Sequence, residues 1–141
     1  MTTLNILMAQ LNTFGGDFDG NTDKVIAVMQ RAERERAAPV VVFPELTLSG
    51  YPPEDLLLRP SIEVRVEQAL ARICAEMDGS GYAVIGYPRR ENGTLYNVAG
   101  VLHRGQVVAE YRKQCLPNYQ VFDEKRYFSA GSEPCVVDIE G

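Results

Sequence analysis

The chain has 141 residues, 45% of them hydrophobic and 23% charged, with a formal net charge of −5. Those proportions exclude a disordered chain, and the length admits one domain or a part of a larger one. An acidic balance without a long basic run argues against a nucleic-acid partner, and no apolar stretch reaches the length of a membrane span.

Leu4 to Leu11 (LNILMAQL) is a short apolar run between polar residues and predicts a buried first strand. Asn12 to Asn21 is a Gly/Asp-rich loop. Asn21 or Thr22 then caps a helix whose Val25, Val28, Met29 and Ala32 form one apolar stripe. The charged run Arg31 to Arg36 is its solvated end. Pro39 to Phe43 (PVVVF) is apolar on both faces, as expected of a buried parallel strand. Strand, helix and strand make a βαβ unit.

Glu45 to Pro60 reads as a turn-rich loop. A second helix begins near Ser61, keeps Val66, Ala69, Leu70, Ile73 and Met77 on one face, and stops at Gly79-Ser80-Gly81. Tyr82 to Tyr87 (YAVIGY) is a third buried strand, and Glu91-Asn92-Gly93 is a hairpin-type turn. Leu95 to Leu102 and Gln106 to Tyr111 are strands joined by His103-Arg104-Gly105. Arg112 to Ser132 is mostly polar loop, and Cys135 to Ile139 (CVVDI) is a last strand. The fold class is therefore α/β with a mixed sheet. A strand running into Glu140-Gly141, with nothing after it to cover the sheet's second face, predicts that further chain completes the domain.

The three cysteines are Cys74, Cys115 and Cys135. They form no CxxC pair, and with His103 as the one histidine a zinc site is not expected. The N-terminus lacks a basic n-region and a signal cleavage site, which predicts a cytoplasmic protein with reduced thiols. Cys74 falls on the apolar stripe of the second helix and reads as a small core residue.

Three features carry possible chemistry. Glu45, in FPEL, stands at the C-terminal end of a parallel strand, where open α/β sheets place their ligand sites. A partly dry carboxylate there suits a general base, although a carboxylate paired with Lys or Arg is the plainer alternative. Lys113 directly follows a strand end. It reads either as a solvated lysine or as a cation for a developing oxyanion. Leu116 to Glu124 (LPNYQVFDE) mixes aromatics, an amide and carboxylates. It is either the wall of a small polar pocket or a surface loop.

Glu45 within VVFPELTLSGYPPEDLL and Lys113 within EYRKQCLPNYQVFDEKRYF together resemble the carbon–nitrogen hydrolase (nitrilase) superfamily. The opening LNILMAQLNTFGGDFDGNTDKV fits it as well. Within it, SGYPPEDLLLRP and LPNYQVFDEKRYF are similar to the glutaminase domains of bacterial glutamine-dependent NAD synthetases. The resemblance implies an α-β-β-α sandwich of which residues 1–141 are the N-terminal portion, with no second domain present. It implies a Glu-Lys-Cys triad in which Glu45 is the general base and Lys113 the cation. Glu124 falls on an additional active-site glutamate, and Tyr51, Tyr119 and Phe122 on positions that shape a glutamine pocket.

The nucleophilic cysteine of the family is expected beyond residue 141, because none of Cys74, Cys115 and Cys135 matches its position. The fragment is expected to be inactive alone. The implied partners are glutamine, a synthetase domain and further copies of the protein in a homo-oligomer. ATP and magnesium are expected in the synthetase domain, and no cofactor or metal in this segment. A stand-alone amidase or nitrilase of the same superfamily, and a non-catalytic binding module, are the alternatives.

Overall fold

The computed structural model describes residues 3–141. Five strands form one mixed sheet in the order β1-β2-β3-β4-β5. They are β1 (Ile6–Met8), β2 (Val40–Val42), β3 (Tyr82–Glu91), β4 (Thr94–His103) and β5 (Gln106–Arg112). β1 and β3 run parallel to β2, while β4 and β5 continue as antiparallel hairpins. Helices α1 (Phe18–Arg34) and α2 (Ser61–Ala75) pack against each other, and α2 also packs on β3.

The βαβ unit forms because Val40 and Val41 are buried in a strand flanked on both sides. The β3–β4 turn follows from Asn92 and Gly93, both at positive φ (49° and 82°), which is the backbone of a two-residue hairpin. Arg104 and Gly105 repeat that pattern between β4 and β5, with φ of 47° and 73°. Pro88 is tolerated within β3 because β2 pairs no further along than Val84, so no parallel neighbour needs its amide.

The main core lies between the helices and one sheet face. Val25, Ala32, Val66, Ala69, Leu70 and Ile73 meet Val41, Ala83, Ile85, Tyr87, Val98 and Leu102. Each large side chain buried there contributes about 1.5–3 kcal/mol. Since Val98 faces the helices, Asn97 beside it faces the other way, and a second, smaller core of Leu46, Leu57, Leu95 and Phe128 occupies that opposite face.

Several expectations are corrected. The first strand is three residues long and not buried: as the sheet edge it leaves Ile6 52% and Met8 82% exposed. Helix α1 starts a turn earlier than Asn21, with Asp17 as N-cap accepting from the Gly20 amide. Asn21 and Thr22 are fully buried inside the helix. Asn21 is diverted to tertiary work, accepting from the Phe14 amide and donating to the carbonyls of Phe14 and Leu48. Helix α2 ends at Ala75, short of the glycines. Cys135 to Ile139 forms no strand, because no ladder partner lies beside it among the described residues, and Val136 is 95% exposed.

Candidate active site

Glu45 follows β2 directly, in the stretch Phe43-Pro44-Glu45-Leu46. Pro44 cannot extend the ladder, and the chain turns over residues 45–49. The turn is built from its own side chains: the Thr47 hydroxyl donates to the Pro44 carbonyl, and the Ser49 hydroxyl to the Leu46 carbonyl at 3.2 Å. Leu46 holds a left-handed φ of 49° while fully buried, a conformation that costs a branched residue about 1–2 kcal/mol. Gly86 of β3 makes room for it. A Cβ on Gly86 would strike the Leu46 amide nitrogen and press on the Pro44 carbonyl. The turn therefore bulges over Gly86 onto the sheet face opposite the helices at Leu46, and returns to the helix-side core at Leu48, whose amide bonds the Gly86 carbonyl at 3.2 Å.

Lys113 is the first residue past β5. Its amide donates to the Asn97 carbonyl of β4 at 2.8 Å, and its own carbonyl accepts from Gly131 at 2.9 Å. This fixes the side chain on the face that carries the Glu45 turn. The ammonium Nζ lies 2.6 Å from Glu45 Oε1 and 3.0 Å from Glu124 Oε1. Burial disfavours the Lys113 charge, but the hydrogen bonds and charges of Glu45 and Glu124 outweigh it and raise its pKa above the ordinary lysine value. Lysine in this setting is a fixed cation.

Glu124 begins a single 3₁₀ turn, Glu124–Arg126, and its side chain is only 7% exposed. Its amide donates to Pro117 at 3.2 Å, and its carbonyl accepts from Phe128 at 2.8 Å. Its Oε2 is buried and has no hydrogen-bond partner among the described residues.

Beside the cluster opens a cleft of about 250 Å³, lined by Leu46, Tyr51, Phe122, Glu124, Arg126 and Tyr127, among others. Burial raises the Tyr51 pKa, and the negative charges of Glu124 and Glu45 raise it further, so its hydroxyl stays a donor. A larger hollow of about 440 Å³ lies at the other end of the strands, among Met29, Glu33, Pro39, Met77 and Tyr82. The smaller cleft is the better candidate because Glu124 of the cluster and Leu46, next to Glu45, line it, near the carboxyl end of β2.

The structure thus brings Glu45, Lys113 and Glu124 into contact, with Tyr51 and Phe122 in the adjoining wall. Tyr119 is 64% exposed and packs edge-to-face on Phe122, with ring centroids 5.6 Å apart, at the rim and not in the lining. The side chain of Glu45 is less dry than its position suggested, at 43% exposed, and its partner is Lys113 itself. Sequence reasoning missed Asn97, whose amide donates to Glu45 Oε1 at 2.6 Å. The available signal was one Asn in an otherwise apolar strand. No three His, Cys, Asp or Glu side chains gather as metal ligands would, among the described residues. Cys74 is partly buried against the core, which raises its pKa, and Cys115 is exposed.

Comparison with known proteins adds independent evidence. The family model described as carbon-nitrogen hydrolase matches residues 6–141. The glutamine-dependent NAD(+) synthetase of Xanthomonas campestris pv. campestris is 49% identical over 141 residues, covering 99% of this chain and 25% of that protein. The structure of glutamine-dependent NAD+ synthetase from Acinetobacter baumannii, in complex with ADP, superposes with a TM-score of 0.92 at 38% identity, over 98% of this chain and 26% of that one. A mutant of the Nesterenkonia AN1 amidase, from the nitrilase superfamily, superposes with a TM-score of 0.79 at 26% identity, over 92% and 48% of the two chains. The chain spans about a quarter of the length of the curated relatives it matches. With nearly its full length matched and a fold shared with both a synthetase and an amidase, the chain belongs to the carbon–nitrogen hydrolase family.

Proposed function

We propose that this chain supplies two members of a glutaminase site in a longer protein, whose synthetase part uses the released ammonia to convert nicotinic acid adenine dinucleotide to NAD. The observation that carries this reading is the Lys113 ammonium held between the Glu45 and Glu124 carboxylates, at 2.6 Å and 3.0 Å, beside a small cleft. The NAD synthetase relatives support the choice of glutamine over a simple amide. ATP and magnesium, which activate the dinucleotide, are assigned to the synthetase part and to no residue of this chain. We place the longer protein in the cytoplasm as a homo-oligomer. No helix among the described residues is long and apolar enough to cross a membrane.

In this reading a cysteine from outside residues 1–141 attacks the side-chain amide of glutamine, forms a thioester and is freed by water. Glu45 receives the thiol proton, delivers it to the leaving nitrogen and then deprotonates the water. Lys113 faces the negative charge of the tetrahedral states, and its fixed protonation suits that task. Tyr51, Phe122 and Glu124 form the substrate pocket with Tyr119 at its rim, and Oε2 of Glu124 takes a donor from the substrate.

The test is made in the full-length gene product. Glu45→Gln and Lys113→Ala are expected to lower glutamine hydrolysis by at least about a thousandfold, while synthesis driven by added ammonia continues. Full glutamine-dependent turnover in both variants overturns the reading. Hydrolysis without transfer of ammonia to a synthetase favours the alternative of a stand-alone amidase, the activity carried by the Nesterenkonia protein.

A further inference from the structure

Asn97 sits at the centre of the cluster without being a member of the Glu–Lys pair. It is 4% exposed, on the sheet face opposite the helices. Its side-chain nitrogen donates to Glu45 Oε1 at 2.6 Å, and its backbone carbonyl accepts the Lys113 amide at 2.8 Å. One residue therefore holds the carboxylate by its side chain and the lysine by its backbone. Lys113 Nζ also ends on Oε1, at 2.6 Å. Among the described residues no donor reaches Glu45 Oε2.

That asymmetry has a chemical meaning. An amide nitrogen is a donor only and cannot take a proton from the carboxylate. Two donors on one oxygen fix the plane of the carboxylate and draw negative charge toward Oε1, leaving Oε2 the open oxygen. With Lys113 alone the carboxylate would be free to swing about that contact. The second donor, at a different angle and from a rigid strand, removes the freedom.

We propose that Asn97 is a positioning residue that makes Oε2 the proton-carrying atom of Glu45. The inference rests on the glutaminase reading above. In the step it governs, the thiol proton passes to Oε2 as the sulfur–carbon bond forms. It then passes from Oε2 to the amide nitrogen as the carbon–nitrogen bond breaks and ammonia leaves. Water next gives a proton to Oε2 while its oxygen bonds to the thioester carbon, and the proton returns to sulfur as the carbon–sulfur bond breaks. Glu45 ends as it began, ionised. Oε1 keeps its two donors throughout.

The test again uses the full-length protein. Asn97→Ala removes the side-chain donor and keeps the backbone carbonyl. It is expected to lower kcat for glutamine hydrolysis about tenfold to a hundredfold, with KM changed less than about threefold, since the group acts on the base and not on the bound substrate. Asn97→Thr, which suits a strand and keeps it filled, is expected to show the same kcat loss with an unfolding midpoint close to the parent's. In a Glu45→Asp background, where the shortened carboxylate is out of reach of Asn97, adding Asn97→Ala is expected to cost less than about threefold. A kcat unchanged in both single variants overturns the proposal, and so does an equal fold-loss in the two backgrounds. If Glu45→Gln itself hydrolyses glutamine normally, it is the glutaminase reading that fails.

Discussion

The ammonium of Lys113 serves two carboxylates of unequal exposure. Glu45 is 43% exposed and can be hydrated, whereas Glu124 at 7% depends on Lys113 for its charge balance. Removing the cation strands a buried charge, which is more costly than the pair itself is stabilising. Lys113→Met is expected to destabilise the protein by about 2 kcal/mol, and adding Glu124→Gln to recover most of that loss, read from urea midpoints. Additive losses in the double variant would show that the pair is not coupled. A second prediction concerns alkali. Tyr87 is fully buried, and burial, then its 2.7 Å hydrogen bond to Glu110 and the Glu110 charge, raise its pKa. Lys113 is raised as well. Both groups keep their protons in the folded state to higher pH than in the unfolded one. Their contribution is therefore complete at neutral pH and is lost as pH climbs past the unfolded values near about 10. Tyr87→Phe is expected to lose about 1 kcal/mol at pH 7 and to decline less steeply above pH ~10. An unchanged alkaline slope refutes the assignment.

At the scale of elements, the site depends on a turn seated against a strand. Gly86→Ala is expected to displace the Glu45 turn, because the new Cβ meets rigid backbone at Leu46 and not a movable side chain. A loss of more than about 2 kcal/mol in stability, together with a fall in glutamine hydrolysis, is the expected outcome. Wild-type values for both would mean the turn has a second seat. The elements also show what a pattern of residues can and cannot reveal. Val40 to Val42, the Asn92-Gly93 turn and the α2 stripe were legible because local propensity and tertiary placement agree there. The start of α1 was not. Asn21 has the chemistry of a cap, but its hydrogen bonds run to Phe14 and Leu48, a choice made by packing. Glu45 was legible as a strand-end carboxylate directly after a proline. Glu124 lies in one 3₁₀ turn within a long loop, where no periodicity exists to betray burial, and only family resemblance singled it out. Asn97 was passed over because strand alternation assigns a lone polar residue to solvent, and here that face carries the site.

For the molecule as a whole, the sheet divides the labour. Its helix side holds the larger core, and the opposite side holds the Leu46, Leu57, Leu95 and Phe128 cluster beside the candidate site. The mixed architecture was legible from the order of strands and helices. The edge position of β1 and the strand-free path of residues 128–141 were not, since both depend on which neighbours a strand finds. The contacts that build the site are long in sequence: 68 positions separate Glu45 from Lys113, and 52 separate it from Asn97. A chain emerging from the ribosome makes β2 and its turn early, yet the carboxylate must wait for two hairpins before its ammonium arrives. Until then Glu45 stands at the end of its strand without its lysine. The Glu45–Lys113 pair is therefore made late, only after the two hairpins have carried Lys113 back beside the turn.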